Sequence, residues 1–246
     1  PRPDAAFVAG VAFAFAPYRL SHTQHLQLLS SYWMPVAIAA LHLHLEDGKA
    51  RWAVLFAASW LMQSLACGYY FFYLTLFAAL WFAWFAARRL TIREAAVFAS
   101  AWGAAGLLLA PVLLGYRSIQ SAYGFRRSPV EIVNYSADVA GLWSASPDSL
   151  VWRWLHGANV SSESEQFLGI TIIVLLAVAI VMAIRNRVPR TYVAFYATVP
   201  ALMWLLSLGP EPRLNGVPIG VPGPYAAHAS LPGFDGMRVP ARLWMV

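Results

Sequence analysis

Long apolar runs broken by short polar turns are the feature that most constrains how this chain can fold. Seven runs stand out, at Ala5–Tyr18, Leu28–Leu45, Trp52–Ala66, Tyr69–Ala87, Ala95–Gly115, Phe167–Ile184 and Thr191–Leu208, and another opens at Leu243. A bilayer span needs about 20 predominantly apolar residues. The runs lack strict alternation and exceed the length of a barrel strand, so they read as helices. Trp33, Trp52, Tyr69, Tyr70, Trp81, Trp84 and Tyr192 gather near run ends, as an interfacial aromatic belt requires. Only 11% of the residues are charged, against about 25% in a soluble domain. The expected fold is therefore all-α, a polytopic transmembrane helical bundle of about seven spans plus a truncated eighth. Both ends, Pro1 and Val246, read as internal, so residues 1–246 are expected to form one transmembrane domain truncated at each end.

The formal charge of +6 does not indicate nucleic acid, because the cations form no basic stripe. Lys49, Arg51, Arg88, Arg89, Arg93, Arg185, Arg187 and Arg190 lie in three tiny connections, which the positive-inside rule places in the cytoplasm. Apart from Cys67–Gly68, the alternate connections are longer, and the two longest mix cations with acids. Segments 116–166 and 209–242 are the expected outward-facing loops, with irregular or helical structure. One cysteine, Cys67, excludes an intrachain disulfide.

Function is expected in these outward segments. In the first, Tyr18 to Pro35, a helical His22 and His25 share one face. Arg19 beside them suits a phosphate. A metal would need three or four ligands, and no nearby third is evident. His42 and His44 read as snorkelling residues at a helix end. Gln63 and Ser64 read as interhelical hydrogen-bonding groups. Segment 116–166 mixes Arg117, Arg126, Arg127, Glu131, Asp138, Asp148, Glu163 and Glu165 with Tyr123, Phe125, Trp143, Trp152 and Trp154. Carboxylates supply acid–base chemistry, and aromatic faces pack on sugars. Glu163 and Glu165 are candidates for a catalytic role, with capping of the next span as the plain alternative. Asn134-Tyr135-Ser136 and Asn159-Val160-Ser161 are sequons that matter only in a glycosylating pathway. Gly209–Pro240 holds seven prolines and six glycines, too many for a regular helix or a central strand. At its end, Arg238 and the nearby Arg242 could present guanidiniums to a lipid phosphate or anchor the interface. No Walker loop is present.

Three segments carry a family resemblance: Tyr18-Arg19…His22…His25-Leu26-Gln27 leading to Trp33-Met34-Pro35; Gln63-Ser64-Leu65…Gly68-Tyr69-Tyr70; and Leu208-Gly209-Pro210 with Pro232-Gly233-Phe234-Asp235-Gly236-Met237-Arg238-Val239-Pro240-Ala241-Arg242. Together they resemble large bacterial membrane proteins related to the GT-C glycosyltransferases. The resemblance implies a bacterial inner-membrane enzyme that moves a sugar from a polyprenyl-phosphate donor to a glycan or lipid acceptor on the periplasmic face. It implies phosphate-binding roles for Arg19, His22, His25, Arg238 and Arg242. The family's essential acid usually lies in its first outward loop. Arg19–Gln27 has no acid, so that group is expected upstream of Pro1. No metal ligand is assigned, and a divalent metal stays open as a cofactor. A transporter or flippase of a lipid-linked substrate and a non-catalytic assembly subunit are the competing classes.

Overall fold

The computed structural model describes residues 3–87, 89–124, 128–229 and 237–245. The candidates Arg88, Arg126 and Arg127 and the stretch Leu231–Gly236 lie outside them. The chain is mostly helical, at 71%. In chain order the helices are α1 (Pro3–Ala14), α2 (Pro17–Leu20), α3 (Leu26–Leu29), α4 (Trp33–Asp47), α5 (Ala50–Ala66), α6 (Gly68–Trp81), α7 (Ile92–Tyr123), α8 (Pro129–Asn134), α9 (Ile170–Ile184) and α10 (Arg190–Ser207). A two-stranded antiparallel hairpin, β1 (Arg213–Leu214) with β2 (Val217–Pro218), lies in the last segment.

Three helical stretches, Leu26–Asp47, Gly68–Ala86 and Ile92–Tyr123, are long and apolar enough to cross a membrane. The expected count of seven spans is not supported. Each of the seven runs is helical, but α1 has 12 residues and α9 has 15. At 1.5 Å per residue these reach about 18 and about 22 Å, short of a hydrocarbon core of about 30 Å. The run at Leu243 does not open an apolar helix. Pro240–Met245 forms a 3-10 turn that buries Ala241 and Leu243 against α10. The run Ala95–Gly115 is longer than the sequence suggests, since α7 continues to Tyr123 and takes eight residues from segment 116–166.

Two compact units divide the chain, His25–Arg126 and the combination of Pro1–Gln24 with Arg127–Met245. In the unit His25–Arg126, α5 packs against α4, α6 and α7. Its core is aromatic. Phe56 meets Phe82, Phe98 and Trp102 edge-on at 5.2–6.3 Å. The Trp60 indole donates to Thr75 at 2.9 Å. Local signals set the helix ends: Thr91 and Glu94 form a reciprocal capping box at the start of α7, and Gly48 closes α4 at φ 65°.

Gln63 and Ser64 are structural here, with the Gln63 amide donating to the Ser30 carbonyl at 2.7 Å and the Ser64 hydroxyl to that of Trp60. His42 and His44 do not snorkel. His44 is buried edge-on against Phe98, and His42 accepts from the Trp81 indole, because the aromatic neighbours offer both rings better packing than the interface does.

Much of α7 has the opposite character, with Leu107 and Leu108 largely exposed. Contiguous exposed apolar surface of this kind is what a bilayer covers. Truncating the aromatic hub by Phe56→Ala is expected to cost about 3–5 kcal/mol. Thermal unfolding of the detergent-solubilised protein measures it, and a change near zero contradicts the packing described.

Candidate functional site

The unit Pro1–Gln24 with Arg127–Met245 contains a cluster of charged groups built on three segments far apart in sequence. The first segment is α2 and the turn after it. Pro17 presets the first helical turn, and the chain then folds so that Ser21 Oγ donates to the Tyr18 carbonyl at 2.7 Å. His22, buried here, points Nδ1 at the same carbonyl at 2.8 Å. Its Nε2 faces Glu163 Oε2 at 3.2 Å.

The second segment carries Glu163 on a 3-10 turn, Ser162–Ser164. Gly141 makes the fit, since a Cβ there would stand 2.0 Å from the Ser164 carbonyl oxygen. The same segment is tied down by Gln166, whose amide donates to the Ala241 carbonyl at 3.1 Å. Gly209, at φ +69°, is also obligatory, because a Cβ would lie 1.8 Å from Ser136 Oγ. Asp138 anchors the hairpin turn by accepting from the backbone N–H groups of Asn215 and Gly216 at 2.9 and 2.7 Å.

The third segment supplies Arg242 from the turn Pro240–Met245. Its Nε donates to Glu163 Oε2 at 3.1 Å and its Nη2 to Oε1 at 2.6 Å. This is a bidentate fork, the strong form of carboxylate recognition. Arg242 is only 7% exposed. The Tyr18 hydroxyl closes the cluster, within reach of the Glu163 and Ala241 carbonyls at 3.4 and 3.3 Å.

Two nearby carboxyls are tuned in opposite directions. Burial raises the Glu163 pKa, but hydrogen bonds from His22 and Arg242 together with the Arg242 charge outweigh it and hold it at about 2. Glu165 is 3% exposed. Burial pushes its pKa above the ordinary value, against the pull of His156 and His22 and a hydrogen bond from Ser146. His156 Nδ1 is 3.4 Å from Glu165 Oε1.

Beside this cluster lies a cavity of about 470 Å³ lined by Phe15, Leu20, Ser146, Asp148, Ser149 and Trp152 among others. Among the described residues, Asp148 is the only charged one in its lining. Of the candidate residues, His22, Glu163 and Arg242 come together, with Glu165 close by. Arg238 pairs instead with Glu131 at 2.7 Å and lies over the Tyr135 ring. The Arg19 guanidinium stacks on Phe13 at 4.4 Å. His25 falls in the other unit, at the start of α3. Asp148 was not singled out from the sequence; its one local signal is Ser146-Pro147-Asp148-Ser149, a turn-forming run between Trp143 and Trp152. Among the described residues no group of three or more His, Cys, Asp or Glu side chains is placed to hold a metal ion.

Fold and cluster together define a helical protein with apolar helices fit to cross a membrane and a charged, cavity-bearing region made of its connecting segments. The chain belongs to the family described as Domain of unknown function (DUF6311), whose model matches residues 1–230. No curated protein and no solved structure matches it.

Replacing Glu163 by Gln leaves Arg242 buried without its carboxylate and is expected to cost about 3 kcal/mol of stability at pH 7. A carboxylate with a depressed folded pKa stabilises fully above its unfolded pKa, here 4.5, and loses that contribution as pH falls toward 2. Unfolding of wild type and Glu163→Gln should therefore converge between pH 4.5 and 2. A gap that stays constant over that window contradicts the assignment.

Proposed function

We propose that this protein is a membrane-embedded, GT-C-like glycosyltransferase that moves a sugar from a polyprenyl-phosphate donor at the outer face of a bacterial inner membrane. The observation that carries this reading is a carboxylate-bearing, aromatic-walled cavity beside a charge cluster that unites the connecting segments. Finer topology belongs to the same proposal: the short basic connections face the cytoplasm, and segments 116–166 and 209–242 face outward.

In this reading the acceptor hydroxyl enters the cavity and Asp148 takes its proton. The acceptor oxygen bonds to the sugar's anomeric carbon as the bond from that carbon to the phosphate oxygen breaks. The phosphate leaves with the electron pair. Asp148 suits the base role because it is exposed at the cavity wall, whereas Glu163 is engaged by Arg242 and Glu165 is buried. Arg19, which directly precedes the cavity-lining Leu20 and Ser21 without lining the cavity itself, supplies a cation for the phosphate as it departs outside the cavity. Glu163 and Arg242 act by holding the segments in register.

A flippase would line its path with polar groups available to the substrate. On α5, Gln63 Nε2 and Ser64 Oγ are instead engaged by backbone carbonyls, which favours the transferase.

Sugar transfer from a radiolabelled polyprenyl-phosphate donor in membranes tests the reading. Asp148→Asn is expected to lower the rate by about 100-fold or more at equal protein level. No transfer by the wild-type protein, or an unchanged rate in the variant, removes the proposal.

A further inference from the structure

A second, apolar hollow adjoins the cavity. It measures about 320 Å³ and runs between α1 and α9, lined by Phe7, Val8, Val11, Thr171, Ile172 and Leu175 among others. Phe15, Pro17 and Trp152 border both spaces, so the groove leads into the cavity. From Phe7 to Phe15 it follows about 12 Å of helix.

The two spaces differ in chemistry. The groove walls hold no charged residue, and Phe7, Val11, Phe15 and Leu175 are exposed. The cavity adds three serine hydroxyls, the Asp148 carboxylate and the Trp152 ring. A carboxylate accepts hydrogen bonds from hydroxyl groups and repels phosphate. An aromatic face packs on the apolar face of a sugar. Among the described residues, no cation stands in the lining to hold an anion.

We propose that groove and cavity form one binding site for a single amphiphile, with a hydrocarbon chain between α1 and α9 and an uncharged, hydroxyl-rich head at Asp148. Charge complementarity selects the occupant: a sugar-headed lipid fits, and a lipid phosphate is repelled by the Asp148 carboxylate in the lining. Binding stands on the cavity alone. The role as acceptor rather than donor rests on the transferase reading above.

The test uses the full chain in phosphatidylcholine nanodiscs and two photoreactive probes sharing one diazirine-bearing alkyl tail, a β-glucoside and a phosphate monoester. The glucoside is expected to label α1 and α9 about tenfold more strongly than the phosphate, a preference of about 1.4 kcal/mol. Asp148→Asn should remove most of that preference. Val11→Trp, at an exposed position that tolerates bulk, should fill the groove and abolish labelling by both probes. Equal labelling by phosphate and glucoside overturns the head assignment, and undiminished labelling of Val11→Trp overturns the groove. Glucoside labelling without any sugar transfer supports the site while removing the transferase reading. Transfer without labelling does the reverse.

Discussion

The Glu163–Arg242 fork, with His22 against the same carboxylate, is the contact on which the charged region depends. Each carboxylate oxygen receives a guanidinium hydrogen bond, and Oε2 also faces the imidazole. Both ring nitrogens of His22 face oxygen atoms, the Tyr18 carbonyl and the Glu163 carboxylate. Buried ion pairs contribute little net stability when compared with an apolar replacement, yet losing one partner is costly. What such a pair supplies is register. Here it fixes the turn after α2, the turn at Ser162–Ser164 and the turn at Pro240–Met245 relative to one another. The cavity wall at Leu20 and Ser21 follows directly from the first of these.

The rest of that unit supports the same register through backbone contacts that tolerate no substitution of shape. Gly141 and Gly209 allow segments to approach within a distance that any side chain would block. Asp138 spends its carboxylate on three backbone N–H groups, which ties the hairpin β1–β2 to the segment that carries Glu163. Among its described residues, the proline-rich stretch from Gly209 has only a short hairpin and a 3-10 turn as regular structure, and is held by side-chain caps and close backbone packing. Elsewhere the apolar faces of α7 and α9 stay exposed. Water would penalise that surface at roughly 25 cal/mol per Å², and a hydrocarbon environment removes the penalty.

Helical content was legible in the sequence because apolar runs between Gly, Pro and charged turns leave few alternatives. Span count was not. Hydropathy registers how apolar a run is, whereas crossing a bilayer also needs uninterrupted helix, and α1 ends at Ala14 just before Pro17. The structural use of Gln63 and Ser64 was readable, since a polar pair inside an apolar run has few other outlets, although only Gln63 reaches another segment and Ser64 bonds back to Trp60 within α5. His42 and His44 were misread, because their aromatic neighbours Trp81 and Phe98 come from other helices. His22, Glu163 and Arg242 stood out singly, but their union did not. His22 and Glu163 are 141 positions apart, Glu163 and Arg242 79, and no local periodicity links such distances. Asp148 stands among many charged residues in the sequence, and only the folded chain shows that it lines a cavity with Phe15 and α2.

A double-mutant cycle on Glu163 and Arg242 tests the central claim most directly. Unfolding free energies of the solubilised protein would be compared for wild type, Glu163→Gln, Arg242→Gln and the double variant. If the fork sets the register of three segments, the two single losses overlap, and the coupling energy is about 2 kcal/mol or more. Simple additivity, with coupling near zero, would mean that the two side chains act independently and that something else holds the segments together.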